Sequence, residues 1–139
     1  MTSEELDLAF KSTNYIILKN DVFPKDIILK IGIINEIYQD ELIREWAFIT
    51  AWNPLPEILS FEENVERNNI LKEELLSLGY VCHLGKGVSS DGQWQEESFF
   101  IENIDKLAAL AISNKYGQLA FVHGVLNKEA ELVYSTTLK

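Results

Sequence analysis

The chain has few of the residues that mark disulfide-bonded, metal-binding and nucleic-acid-binding proteins. Cys82 is its single cysteine, so no disulfide can form within the chain and no cysteine-based zinc site can be assembled. It has only two arginines, Arg44 and Arg67, and its formal net charge is −10. Because binding to phosphate backbones requires clustered basic side chains, we expect no nucleic-acid binding.

Long apolar runs and a basic leader segment are also missing. No run approaches the ~20 residues that a membrane-spanning helix requires. The first ten residues, MTSEELDLAF, carry acids where a signal peptide carries a basic segment. With the single cysteine, these features indicate a cytoplasmic protein that does not associate with membranes.

The overall composition is that of a compact globular protein. Of the 139 residues, 47% are hydrophobic and 24% are charged, close to the average for such proteins. The three prolines are too few to mark a linker, and no internal repeat is seen. We therefore expect a single domain over residues 1–139.

Two capping boxes give the clearest signals of local structure. Thr2 with Glu5 opens a first helix, and Ser60 with Glu63 opens a second. Gly79 stands where a glycine commonly follows the end of a helix, so the second helix is expected to end just before it.

Periodicity and turn residues predict the remaining elements. Two more helices are expected at residues 34–46 and 104–116, the latter capped by Asn103, and strands at residues 14–18, 26–31, 47–50, 80–84, 94–101, 118–125 and 130–135. Residues 85–92 are predicted to be a hairpin loop. The pattern predicts an α+β fold with one mixed or mainly antiparallel sheet and about three to four helices packed mainly on one face.

The stretch FITAWNP, residues 48–54, begins as an apolar strand and ends in polar and aromatic residues at a turn. Asn53 precedes Pro54, which favours an extended backbone and prevents the strand from continuing into a helix. We call residues 50–54 the TAWNP corner. Trp52 and Asn53 are expected to face a polar environment at its end.

The helix predicted at residues 61–78 has two asparagines inside its apolar arc. Asn64 and Asn68 lie one turn apart, in the half of the helix nearest the TAWNP corner. The apolar arc comprises Phe61, Val65, Leu71, Leu75 and Leu78. Since an amide buried without partners costs about 1–3 kcal/mol, each asparagine should be hydrogen-bonded.

Two interpretations of these asparagines remain open. In the first, Asn64 and Asn68 bond the backbone of the loop at residues 53–59 and fix its position against the helix. In the second, their amides point into a pocket and bind a polar ligand, with Trp52 and Asn53 on the same wall. Amides suit that role because each offers donors and an acceptor without the desolvation cost of a charge.

The strand at residues 94–101 has carboxylates on both faces. Trp94, Glu96 and Ser98 alternate with Glu97 and its neighbours, so neither face is purely polar. Glu96 or Glu97 could serve as a general base or a metal ligand. The alternative is a charge that protects an edge strand from aggregation. No residue stands out as catalytic, and no metal or cofactor site is indicated.

The segments FITAWNP, EEN with an asparagine four residues on, GQWQEESFF and YGQLAFV resemble, in order and spacing, the bacterial domain-of-unknown-function family 3293. The similarity extends from about Tyr15 to Val122. It maps onto Thr50, Ala51, Trp52, Asn53, Pro54, Asn64, Asn68, Trp94, Glu97, Ser98, Gly117 and Gln118. Leu55–Pro56 departs from the family pattern, which more often has a basic or polar residue after the first proline. The resemblance implies a short stand-alone protein and brings no activity with it.

Two hypotheses about function follow from the sequence. The first is binding of a polar small molecule, such as a nucleotide or an amino-acid-like compound, at the TAWNP corner. Its candidate ligand-binding residues are Thr50, Trp52, Asn53, Asn64, Asn68, Trp94, Glu96, Glu97, Ser98 and Gln118. The second is an acidic module that binds a basic protein partner, of an inhibitor, antitoxin or immunity type, without any small-molecule site.

Overall fold

The computed structural model describes residues 2–37, 42–54 and 57–135. In chain order its elements are α1 (Ser3–Ser12), β1 (Asn14–Ile17), β2 (Ile27–Leu29), β3 (Glu45–Ile49), α2 (Phe61–Ser77), β4 (Cys82–Val88), β5 (Gln95–Glu102), α3 (Lys106–Lys115), β6 (Ala120–Val125) and β7 (Glu131–Tyr134). The predicted α+β fold is confirmed. The described residues form three helices, rather than three to four.

The seven strands form one antiparallel sheet in the order β2-β1-β4-β5-β3-β6-β7. The sheet curls so far that the segment after β2 meets the segment before β7. The Gly32 N–H donates to the Ala130 carbonyl at 2.8 Å, and the Ala130 N–H donates to the Ile33 carbonyl at 2.9 Å. All six strand pairings are antiparallel, which agrees with the prediction of a mixed or mainly antiparallel sheet.

Because side chains alternate along each strand, the curl creates two hydrophobic clusters. The cluster on the inner face includes Tyr15, Ile17, Leu29, Trp46, Phe48, Phe100 and Val122. The cluster on the outer face lies under α2 and α3 and includes Ala47, Ile49, Leu71, Leu75, Phe99, Ile112 and Phe121. Two helices thus share one face of the sheet, as the sequence predicted.

The third helix, α1, begins at its predicted capping box and contacts β1 and β7. The Tyr15 hydroxyl of β1 donates to the Phe10 carbonyl at 2.7 Å, and the Phe10 ring meets the Tyr134 ring of β7 edge to face. No residue of α1 is fully buried. None of the helices described is long and apolar enough to cross a membrane.

The helix predicted at residues 34–46 is not formed at its described residues. Residues 34–37 and 42–44 are irregular, and β3 already begins at Glu45; Tyr38–Glu41 lie outside the described residues. Ile34 instead forms a bridge with the segment before β7. The apolar spacing that favours a helix is used here to anchor an irregular segment in the inner core.

The predicted loop at residues 85–92 is also wrong in its first half, because β4 continues to Val88. Gly85 is needed for close packing, not for flexibility: a Cβ there would lie 2.6 Å from the Ile16 carbonyl oxygen and 2.9 Å from the Phe48 ring. A strand can carry glycine where another backbone approaches this closely. Of the predicted loop residues, only 89–92 lie in the connection between β4 and β5.

Two predictions about the helices on the outer face were wrong: the residue that caps α3 and the set of buried residues on α2. Asp105, not Asn103, caps α3, because its side chain accepts from the Ala108 N–H. Phe61 at the start of α2 and Leu78 just after its end belong to the predicted apolar arc but are 64% and 57% exposed. The buried residues of α2 are Asn64, Asn68, Leu71 and Leu75.

Candidate functional site

The TAWNP corner is held by a polar stripe on α2. Asn68 accepts the Ala51 N–H at 2.8 Å, and Arg67 Nε donates to the Ala51 carbonyl at 2.7 Å. One turn earlier, Asn64 accepts the Asn53 N–H at 2.7 Å. Because the corner has left the sheet, these side chains take the place of the missing strand partners.

The donor groups of the two asparagines are used as well. The Asn64 amide nitrogen donates to Asn53 Oδ1 at 2.8 Å, and the Asn68 amide nitrogen donates to the Glu97 carbonyl at 2.9 Å. Asn53 Oδ1 also accepts the Leu59 N–H at 2.9 Å. For Asn64 these contacts match the first interpretation, because its partners belong to the loop at residues 53–59. The partners of Asn68 lie outside that loop, at Ala51 and Glu97.

Asn53 is not extended, as its position before Pro54 had suggested. Its φ is 44°, in the left-handed region. Asparagine enters this region more readily than most residues, and its side chain bonds the loop that follows. The corner is therefore a turn whose geometry depends on Asn53 itself.

A contact between the corner and the end of α3 was not predicted. Arg67 Nη2 donates to the Tyr116 carbonyl at 2.6 Å, and Gln118 Nε2 donates to the Trp52 carbonyl at 3.1 Å. Between them, Gly117 has φ 70°, and a Cβ there would lie 3.0 Å from Pro54 Cβ. The corner is thus clamped between α2 and the loop before β6.

Gly117→Ala is expected to lower the free energy of unfolding by about 2 kcal/mol, from the left-handed backbone and the contact with Pro54. Gly79→Ala is the matched control, because Gly79 has φ 86° but open space at its Cβ position. Urea unfolding of both variants measures the difference. Equal losses in the two would show that the Pro54 contact contributes nothing.

Beside the corner, beneath α1, lies a cavity of about 510 Å³ with a small inner extension of about 60 Å³. We call this pair the α1 cavity. Six of the predicted site residues line it: Thr50, Asn53, Trp94, Glu96, Ser98 and Gln118. The structure thus brings together residues from the corner, from β5 and from the loop before β6.

The other four predicted site residues do not line the α1 cavity. Asn64 and Asn68 face the corner's backbone, and the Trp52 ring packs edge to face against Phe61 at 5.7 Å. Glu97 lies on the outer face of β5, where its side chain is exposed. Its carbonyl oxygen, and not its carboxylate, takes part in holding the corner.

One wall of the α1 cavity was missed by the sequence analysis. Phe10 and Thr13, at the end of α1, and Tyr15 in β1 line it. The alternation of Thr13, Tyr15 and Ile17 would have placed them on one face of the strand. The strand pairing, which the sequence does not give, places Tyr15 on the same face as Glu96, because both residues pair with Gly87 of β4.

Glu96 is the most unusual group in the α1 cavity. Its side chain is partly buried, and no hydrogen bond to its carboxylate is present among the described residues. Burial raises the pKa of Glu96 from 4.5 to about 8. The described residues of the lining include Asp91 but no lysine or arginine. Within the described parts of the chain, no cluster of three or more metal-binding side chains is found.

Most hydroxyl groups of the lining already donate to the protein. Thr13 donates to the Ala9 carbonyl, Ser98 to the Glu96 carbonyl and Tyr15 to the Phe10 carbonyl. Gln118 uses its amide nitrogen on the Trp52 and Tyr116 carbonyls. The inner part of the cavity therefore offers mainly hydrogen-bond acceptors, and its walls are apolar or aromatic.

No curated protein and no solved structure matches the chain. A family model does match, over residues 49–121, which is more than half of the chain. The match includes the TAWNP corner, α2, β5 and α3. It is shorter than the expected similarity, which was to begin at Tyr15. The chain belongs to the family described as "Protein of unknown function (DUF3293)".

Proposed function

We propose that the protein binds a small organic molecule in the α1 cavity, with Glu96 as its polar anchor. The observation that carries this proposal is a partly buried carboxylate that faces a cavity of about 510 Å³ and has no hydrogen-bond partner among the described residues. A cavity of this size with apolar walls and a few polar groups is typical of small-molecule sites.

The burial of Glu96 has a cost that favours this interpretation. Moving a carboxyl group out of water without a partner destabilises the fold, and such groups concentrate at functional sites. A glutamine or an apolar residue would fill the same place on β5 at lower cost. A ligand that bonds the carboxyl group would offset the loss.

The chemistry of the walls narrows the polar ligands that the sequence suggested. A nucleotide needs cationic or N–H donors around its phosphates, and the lining has no lysine or arginine. An amino-acid-like molecule or another compound with N–H donors fits the acceptors better. Under this proposal the TAWNP corner contributes a wall through Asn53, whereas Asn64 and Asn68 support that wall from behind.

A thermal-shift screen tests the proposal, with amino acids, amines, nucleosides and sugar phosphates on the wild type, Trp94→Ala and Glu96→Gln. A compound at ~100 times its Kd should add about 2.7 kcal/mol to the free energy of unfolding. The two cavity variants should weaken binding at least about tenfold, which corresponds to about 1.4 kcal/mol. Glu97→Gln is the matched control, since Glu97 is exposed on the opposite face of β5.

No stabilising compound, or a hit that Trp94→Ala and Glu96→Gln leave unchanged, would contradict the proposal. The alternative is then the acidic protein-binding module. It draws support from the net charge of −10 and from four exposed glutamates on α2. A pull-down tests this alternative. A basic partner should be captured, and it should be lost at high salt and when those glutamates are replaced by glutamine.

A further inference from the structure

We infer that the ligand of the α1 cavity is an organic cation, a protonated amine with an apolar body, whose ammonium group is held by Glu96. This inference rests on the proposed function and specifies the class of ligand. It comes from the balance of charges, donors and acceptors around the cavity.

Among the described residues that line the cavity, every charged side chain is acidic. These residues are Glu96 and Asp91, and the described lining has no lysine or arginine. Tyr15 of β1 is the other titratable group near Glu96. The parts of α1, of the corner and of the loop before β6 that line the cavity contribute no titratable side chain. An anion would meet only repulsion here, and a cation would meet a carboxylate.

The hydrogen-bonding groups favour the same kind of ligand. Glu96 and Gln118 Oε1 have no hydrogen-bond partner among the described residues, and both can only accept while Glu96 is ionised. An ammonium group is a donor without acceptors, so it complements them. Among the described side chains of the lining, the donors that remain are the Trp94 indole N–H, the Asn53 amide nitrogen and the Ser90 hydroxyl. They would meet an acceptor elsewhere on the ligand.

The walls suit the rest of such a molecule. Phe10 and Trp94 line both parts of the cavity, and Trp94 is 48% exposed. Aromatic rings attract cations through their faces and shield an apolar body from water. Glu96 therefore binds the ammonium group of the ligand, and the aromatic walls contact its apolar body.

Binding should release a proton. Because burial raises the pKa of Glu96 to about 8, the carboxyl group is largely protonated near pH 7. An incoming ammonium group favours the ionised carboxylate, so the carboxylic acid loses its proton to the buffer as the ion pair forms. The affinity should rise about tenfold per pH unit up to about pH 8 and then level off.

Calorimetric titration tests the inference with matched probes on three bodies, phenylethyl, cyclohexylethyl and hexyl, each as the amine, the alcohol and the corresponding carboxylate. At about pH 8.5 the amine of at least one body should bind at least about tenfold more tightly than its alcohol, and the carboxylate should not bind. Below about pH 7, titrations in buffers of different ionisation enthalpy should show about one proton released per amine.

Glu96→Gln should abolish both the preference for the amine and the proton release, yet still bind the alcohol. Glu97→Gln should keep the wild-type behaviour. Equal affinities for amine and alcohol, or tighter binding of the carboxylate, would overturn the inference while the proposed function stands. If none of the nine probes binds, the inference is overturned, and the thermal-shift screen decides the proposed function separately.

Discussion

Asn68→Ala is expected to lower the free energy of unfolding by about 3 kcal/mol. The substitution leaves the Ala51 N–H without its partner and removes one of two donors to the Glu97 carbonyl, which keeps the Thr50 hydroxyl at 2.6 Å. The Ala51 N–H lies where the side chain of Asn68, itself 5% exposed, keeps water out. A buried backbone group without a partner costs far more than the hydrogen bond contributes when it is formed.

Asn69→Ala is the matched control for this prediction, because Asn69 is the next residue on α2 and is exposed. It should change the free energy of unfolding by less than about 0.5 kcal/mol. Urea unfolding of the two variants measures the contrast. If Asn68→Ala is as mild as its control, the polar stripe of α2 does not hold the TAWNP corner.

The second prediction with a large effect concerns the pH dependence of stability. Since the pKa of Glu96 is raised in the folded protein, the folded state binds more protons than the unfolded state between about pH 4.5 and pH 8. Stability from this group is therefore fully present below about pH 4.5 and is lost as the pH rises to about 8. Glu96→Gln should remove that loss and stabilise the protein by about 2 kcal/mol at pH 9.

The comparison is between unfolding curves of the wild type, Glu96→Gln and Glu97→Gln at pH 5, 7 and 9. The gain from Glu96→Gln should grow from pH 5 to pH 9, whereas Glu97→Gln should keep the wild-type slope. A gain that is the same at every pH would mean that the carboxyl group of Glu96 is well solvated. In that case the α1 cavity does not shield the Glu96 carboxyl group from water.

Much of the fold could be predicted because its signals are local. Both capping boxes formed as expected, and Gly79 follows the end of α2. Six of the seven predicted strands begin and end within two residues of their predicted bounds. In each case the pattern depends on neighbours in sequence, such as alternation along a strand or a side chain that bonds the third residue after it.

The wrong predictions concern residues whose structure depends on contacts with segments far away in the sequence. Ile34 has the spacing of a helical residue, but the curl of the sheet supplies a backbone partner near residue 129. Gly85 looks like a loop residue until the Phe48 ring is placed against it. Neither the partner nor the ring is visible in the local sequence, so propensity alone gave the wrong structure there.

The residues of the candidate site also fall into those that the local sequence predicts and those that it does not. Asn53, Trp94 and Glu96 could be found because two short motifs place unusual polar and aromatic groups at strand ends. The wall beside them, from α1 and β1, depends on the pairing of β1 and β5 with β4. The role of Arg67 was also hidden, because a long basic side chain on a helix usually reaches into solvent. Here it bonds two backbone carbonyls.

The most direct test of ligand binding in the α1 cavity is the indole region of the ¹H–¹⁵N NMR spectrum, recorded while the tightest-binding compound is added. Three tryptophans give three signals: Trp46 is buried in the inner core, Trp52 packs against Phe61, and Trp94 lines the cavity. We expect the Trp94 signal to shift and saturate with the binding curve, and the Trp46 signal to stay in place. Saturable binding that leaves the Trp94 signal unmoved would contradict the account.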